Sequence, residues 1–250
     1  MIELFSFHLS HSDLGLLFVV ALLIGMSKTG VHGAGMAAVP FLAMIFGGKG
    51  STGLLLPILC MADIFGVSYY HRHTKWSHLI KLFPWAAVGI LLGTYVGDQI
   101  DDSSFRLIMG LIILLSLLLM IWQERSKTKY IPEGWWFAAL LGVLGGFTTM
   151  VGNLAGSVMA LYLLTMRLPK NQYIGTAAWF FLVVNLFKVP FHVVVWETIS
   201  WNSFYLDLIT IPAVVVGAFL GIWIVKKIPE LYYRWFIIAT TALAGLLMVF

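Results

Sequence analysis

The sequence predicts an all-α polytopic membrane protein made of two inverted repeats, each a broken, re-entrant helical hairpin followed by three spanning helices. Three observations predict it. Of 250 residues, 60% are hydrophobic and only 10% charged, where a soluble domain carries about 25% charged residues and has too little interior to hide so much apolar surface. The apolar residues gather into ten runs, five in each half. The two halves also align with each other. The composition excludes a soluble enzyme, a disordered chain and a nucleic-acid binder. The single cysteine, Cys60, excludes an intrachain disulfide and a Cys-based metal site.

In chain order the runs are 14–26, 35–47, 53–70, 79–97 and 105–122, then 135–151, 155–165, 174–196, 205–225 and 232–250. The last three of each half are long enough to cross ~30 Å of hydrocarbon at about 1.5 Å per residue. The first two of each half are shorter, and a polar, glycine-rich break joins them. The first break runs from Ser27 to Gly35 and the second from Thr148 to Gly156. Such a break predicts a hairpin with its tip inside the membrane. The first repeat occupies 1–123, a cytoplasmic linker 124–134 and the second repeat 135–250, all in one membrane domain. No Lys or Arg precedes the first apolar run, so no cleavable leader is expected.

Charge sets the orientation. Arg72, Lys75 and Lys81 share one connection, and Arg125, Lys127 and Lys129 another. Arg167 and Lys170 lie in a third, and Lys226, Lys227 and Arg234 in a fourth. The opposite connections hold Asp98, Asp101, Asp102, Glu197 and Asp207, with Lys49 and Arg106. The positive-inside rule puts the basic connections in the cytoplasm. They share one side only if each hairpin returns to the face it left, and both termini then lie outside. Trp76, Trp122, Trp135, Trp136, Trp196 and Trp201 fall at the proposed ends, as an interfacial belt would.

The halves match at offsets that grow only where loops absorb insertions. Gly25 pairs with Gly146, Gly35 with Gly156, Gly53 with Gly175, and Phe65 with Phe187. Further on, Pro84 pairs with Pro212, Gly89 with Gly217, and Gly93 with Gly221. Three crossings plus a returning hairpin is an odd number of passes, so the repeats are inverted. Inverted repeats with interrupted helices place a substrate site near the midplane. The alignment also pairs polar residues inside apolar spans: Ser27 with Thr148, Lys28 with Thr149, His32 with Asn153, and Asp63 with Asn185. Facing lipid, the charged ones would each cost several kcal/mol. Converging at the hairpin tips, Lys28 and the free N–H groups of helices starting near Gly35 and Gly156 would attract an anion.

Asp63 reads as a proton carrier or a partner for Lys28. Asn185, Lys188 and His192 share one helical face, with Pro190 between them as a potential kink. Lys188 has two readings, inward to the site or snorkelling outward to the level of Trp196. His32 and His192 are candidate titrating groups. There is no His-Glu-x-x-His, Gly-x-Ser-x-Gly or P-loop, so catalytic residues, a cofactor and a resident metal are not expected. The alternative function, an intramembrane enzyme acting on a lipid or lipid-linked substrate, would need a nucleophile with its base or a metal cluster.

The stretch Gly30-Val31-His32-Gly33-Ala34-Gly35 leading to Pro40, the basic segment Arg72 through Trp76, and Gly89 with Gly93 in the following helix resemble the sulfite exporter TauE/SafE family. That resemblance implies a secondary carrier of the bacterial inner membrane for small sulfur-containing anions, sulfite or organosulfonates. The combined expectation is alternating access around a midplane site between the repeats. Ser27, Lys28, Thr29, His32, Gly33, Thr148, Thr149, Asn153, Asn185 and Lys188 are its substrate-binding residues, and Asp63 and His192 its proton-coupling groups. Its partners are the small anion and the lipid bilayer.

Overall fold

A computed structural model describes residues 2–32, 34–46, 48–101, 103–104 and 134–249, with single positions 115, 118, 121, 122 and 125 between. The chain opens with a β-hairpin that the sequence reading did not anticipate, β1 (Ile2–Leu4) paired antiparallel with β2 (Phe7–Leu9). Phe5 and Ser6 turn it, both with positive φ, as a two-residue hairpin loop requires. The hairpin bridges two later helices: Asn202 donates to the Ser6 hydroxyl at 3.2 Å, and the Phe7 ring packs edge-on against Phe46.

The helices are α1 (His11–Lys28), α2 (Ala34–Phe46), α3 (Gly48–Tyr70), α4 (Trp76–Gly97), α5 (Trp135–Gly152), α6 (Ala155–Thr165), α7 (Lys170–Val194), α8 (Trp201–Leu208), α9 (Ile211–Lys227) and α10 (Glu230–Val249). A 3₁₀ turn, His71–His73, links α3 to α4. α1 starts at a capping box in which Ser10 and Asp13 satisfy each other's backbone N–H groups. Among the described residues five helices are long and apolar enough to cross a membrane (α1, α3, α4, α5 and α7), and a sixth crossing is available if α8 and α9 count as one bent span. The chain is thus an all-α multi-pass membrane protein apart from its short hairpin. α2 and α6, at 13 and 11 residues, are shorter helices that pack against α1 and α5 respectively. The run 105–122 lies largely outside the described residues.

The expected single span 205–225 is corrected to two helices, α8 and α9, meeting at 50°. Pro212 stands in the first turn of α9. It has no N–H to give to the carbonyl one turn back, and its ring crowds that carbonyl, so α8 ends and a new helix starts. α7, by contrast, runs through Pro190 without a break.

The largest helix contacts join the two halves. α4 packs on α5, α1 on α9 and α3 on α7. Glycines set the first two crossings. A Cβ on Gly25 would strike the Val214 carbonyl oxygen, and one on Gly217 the Leu22 carbonyl. A Cβ on Gly146 would strike the Ala86 carbonyl, and one on Gly89 the Val143 carbonyl. Both crossings therefore bring backbone against backbone, which only small residues permit.

Three of the basic connections meet at one end of the bundle. The Thr74 hydroxyl donates to the Gly175 carbonyl (3.2 Å), and the Lys75 N–H to Thr176 Oγ1 (3.0 Å). Lys170 Nζ reaches the Ile228 carbonyl (2.8 Å), and Arg234 the Leu164 carbonyl (3.0 Å). At the other end Lys49 pairs with Asp98 at 2.8 Å. Trp196, expected in the interfacial belt, is instead buried there: its indole N–H donates to the Thr94 carbonyl, and Lys49 lies 5.1 Å from its ring. Trp76, Trp122, Trp135, Trp136 and Trp201 are exposed, as a belt requires. Asp207, read from sequence as an acid of the outer connections, is fully buried in α8.

Candidate functional site

Both helix breaks are built from turns with internal closure. At the end of α5, Asn153 adopts the left-handed conformation, its N–H bonding to the Thr149 carbonyl and that of Leu154 to the Thr148 carbonyl. At the end of α1, Gly30 has φ of 128°, open to glycine and strained for other residues. There Ser27 donates to the His32 carbonyl at 3.1 Å, holding the turn against the start of α2. The first tip reaches toward the basic end, where Tyr233 donates to the Gly30 carbonyl at 2.9 Å. The second reaches the other way, where Asn153 donates to the Thr52 carbonyl at 3.1 Å, one turn from Lys49. Both tips thus contact α3 and α7, the first through Asp63 and Phe181 and the second through Thr52 and Lys188.

Between them lies a cavity of about 30 Å³, room for about two waters. Ser27, Lys28, His32 and Gly35 line it from the first tip; Thr149, Asn153 and Gly156 line it from the second; and Asn185 and Phe181 contribute from α7. The Lys28 ammonium pairs with Asp63 at 2.9 Å and sits 4.1 Å from the centre of the Phe181 ring. Asp63, wholly buried, also accepts from Asn185 Nδ2 at 2.6 Å. Lys188, equally buried, turns inward rather than snorkelling. It donates to the Thr149 carbonyl (2.9 Å), Thr149 Oγ1 (3.0 Å) and Asn153 Oδ1 (2.5 Å). Of the charged groups, Lys28 lines the cavity itself, while Asp63 and Lys188 stand behind the lining, bonded to Lys28 and to Thr149 and Asn153 respectively. With all three ionised, one positive charge is left without a protein counter-charge, and neutral oxygens alone hold it.

The remaining sequence candidates divide. Thr29 points out of the site and ties α1 to α9 through the Ala218 carbonyl at 3.0 Å. Thr148 is occupied by its own helix, donating to the Leu144 carbonyl. His192 is buried away from the cavity lining, its Nδ1 2.8 Å from Thr198 Oγ1 and its ring against Trp196. His32 stays with the cavity, its Nδ1 3.1 Å from the Gly30 carbonyl and its ring edge-on to Tyr173. Gly33 lies outside the described residues. Sequence reasoning missed Phe181; its signal is position, one helical turn before Asn185 on the same face.

Paired helix breaks meeting at a buried charged cluster inside a multi-span bundle define a multi-pass membrane protein with a polar site enclosed between its helices. Residues 17–248 match the profile of the family described as sulfite exporter TauE/SafE, and the chain belongs to that family. It is also similar to a protein of Magnetospirillum gryphiswaldense named "Probable membrane transporter protein MamO", 23% identical over 264 residues. That alignment covers 82% of this chain and 40% of the relative, so the chain spans less than half of that protein's length. No solved structure matches the chain.

Proposed function

We propose that the protein carries a small sulfur-containing anion, sulfite or an organosulfonate, across the bacterial inner membrane by alternating access, as a secondary transporter. The observation that supports this reading is the unmatched charge behind the cavity wall: Lys28 is balanced by Asp63, and among the described residues Lys188 is held only by Thr149 and Asn153, both of which line the cavity. A buried ammonium without a counter-ion is costly, and a bound anion supplies the missing charge. The α6 N-terminus adds free N–H groups at Gly156, since no side chain caps it. The cavity is small, so a multi-atom anion needs the tips to part, consistent with a closed stage of the cycle.

The inverted arrangement is supported by the crossings. Gly25 and Gly146 correspond in the repeat, as do Gly217 and Gly89, and each corresponding pair meets the partner half in the same way. In this reading the halves rock against each other across α3 and α7 and expose the cavity to one side at a time. The gathered basic connections support placing that end in the cytoplasm, with the β-hairpin and the Lys49–Asp98 pair outside.

Thermal unfolding of the purified protein with sulfite, with methanesulfonate and with chloride tests the reading. A ligand at a hundred times its Kd adds about 2.7 kcal/mol of apparent stability. The expected outcome is stabilisation by one or both sulfur anions, lost in Lys188→Met and in Lys28→Ala. Stabilisation by cations alone, or an undiminished anion effect in both variants, overturns it.

A further inference from the structure

Asp207 is the second acid that the fold buries completely. Asp63 holds Lys28, but neither side-chain oxygen of Asp207 has a hydrogen-bond partner among the described residues. Asp207 lies six residues into α8, about 9 Å along the helix from the exposed Trp201. The 50° bend into α9 follows at once. Thr210 closes that bend by donating its N–H (3.0 Å) and its hydroxyl (2.7 Å) to the Asp207 carbonyl.

The charged neighbours are accounted for. On α3, which packs against α8, Lys49 and Asp63 are engaged by Asp98 and Lys28, and Cys60 is the other titratable side chain before Tyr69 and Tyr70 at the far end. On the β-hairpin that touches α8, Glu3 and His8 are exposed. On α9 the charged residues, Lys226 and Lys227, close the far end. Among the described residues no ion pair reaches Asp207. A bare carboxylate in such a place costs several kcal/mol, because nothing donates to it. A metal cation requires several ligands, and among the described residues no group of three or more His, Cys, Asp or Glu side chains gathers here. The arrangement suits a carboxyl that carries its own proton.

We propose that Asp207 is a proton-loading site, and that its loading and release, tied to the bend between α8 and α9, couple anion movement to the proton gradient. The inference rests on the transport reading above and adds the coupling ion. Loading bonds a proton to one Asp207 oxygen and leaves a neutral acid that tolerates burial. Release leaves a carboxylate that must reach water or a donor, which the present bend denies it. The bend reaches the anion site through α9, which crosses α1 at Gly217 and takes the Thr29 hydroxyl bond one residue beyond Lys28.

The test compares the full-length protein with Asp207→Asn, which keeps the shape of the neutral acid, and Asp207→Glu, which keeps the acid. Infrared spectra of each purified protein are recorded across pH. The wild type is expected to show a protonated-carboxyl C=O band that Asp207→Asn lacks. In vesicles carrying a pH-sensitive dye, sulfite is expected to drive proton movement with the wild type and, in part, with Asp207→Glu, and none with Asp207→Asn that elutes as folded protein. Identical spectra for wild type and Asp207→Asn, or undiminished proton movement in Asp207→Asn, overturns the proposal. Wild-type vesicles that exchange sulfite without moving protons overturn it while the transport reading stands. Vesicles that move no sulfite overturn the transport reading, and the infrared band then decides by itself whether Asp207 holds a proton.

Discussion

Lys28 and Lys188 place like charges on the two sides of one cavity wall, Lys28 in the lining and Lys188 behind Thr149 and Asn153. Lys28 has a carboxylate partner, so removing its amine strands Asp63 in the interior. Lys28→Met is expected to cost about 3–5 kcal/mol of stability, and Lys28→Met with Asp63→Asn to recover most of it, measured by unfolding in detergent. Lys188→Met leaves only neutral acceptors unpaired at Thr149 and Asn153, so its cost is expected at about 1–3 kcal/mol, while anion binding is lost. A Lys188→Met variant less stable than Lys28→Met overturns that ranking. The sequence made the candidate lysines visible, because ionised groups are rare in apolar runs. It left the direction of Lys188 open. Helical spacing puts Asn185 and Lys188 on one face, but the acceptors that turn that face inward come from α5, distant in the chain.

At the scale of the element, run length and composition located both breaks and the spans α3, α4 and α7, since burial in lipid demands long apolar stretches. But α1 and α5, expected as short hairpin arms, are each 18 residues and long enough to cross. Nor did run length and composition separate α8 from α9. Pro84 and Pro212 correspond in the repeat, yet Pro84 lies inside the unbroken α4 and Pro212 begins a helix. A proline removes one hydrogen bond in either place; here Thr210 offers the chain another way to close on Asp207. The β-hairpin escaped notice for a related reason, as three-residue strands leave almost no periodicity to read. Glycine positions carry their own predictions. Gly146→Leu drives a side chain into the Ala86 carbonyl and is expected to abolish folded protein, judged by the loss of a monodisperse elution peak. Gly15→Ala meets nothing within 4 Å and is expected to raise stability, by up to about 1 kcal/mol. A destabilising Gly15→Ala would show that this face of α1 is covered.

For the molecule as a whole, orientation follows from where the charges gather. In a Cys60→Ala background, Asp98→Cys is expected to react with a membrane-impermeant maleimide in intact cells, and Arg72→Cys only after permeabilisation. The reverse pattern inverts the assignment. The glycine crossings have a broader consequence. The first helix of each half beds in a helix of the opposite half, α1 in α9 and α5 in α4, so the halves are clasped like folded hands. A chain severed between residues 125 and 134 should therefore yield two pieces that are each degraded when made separately and that rebuild one folded, monodisperse protein when made together. Neither piece can complete its own grip.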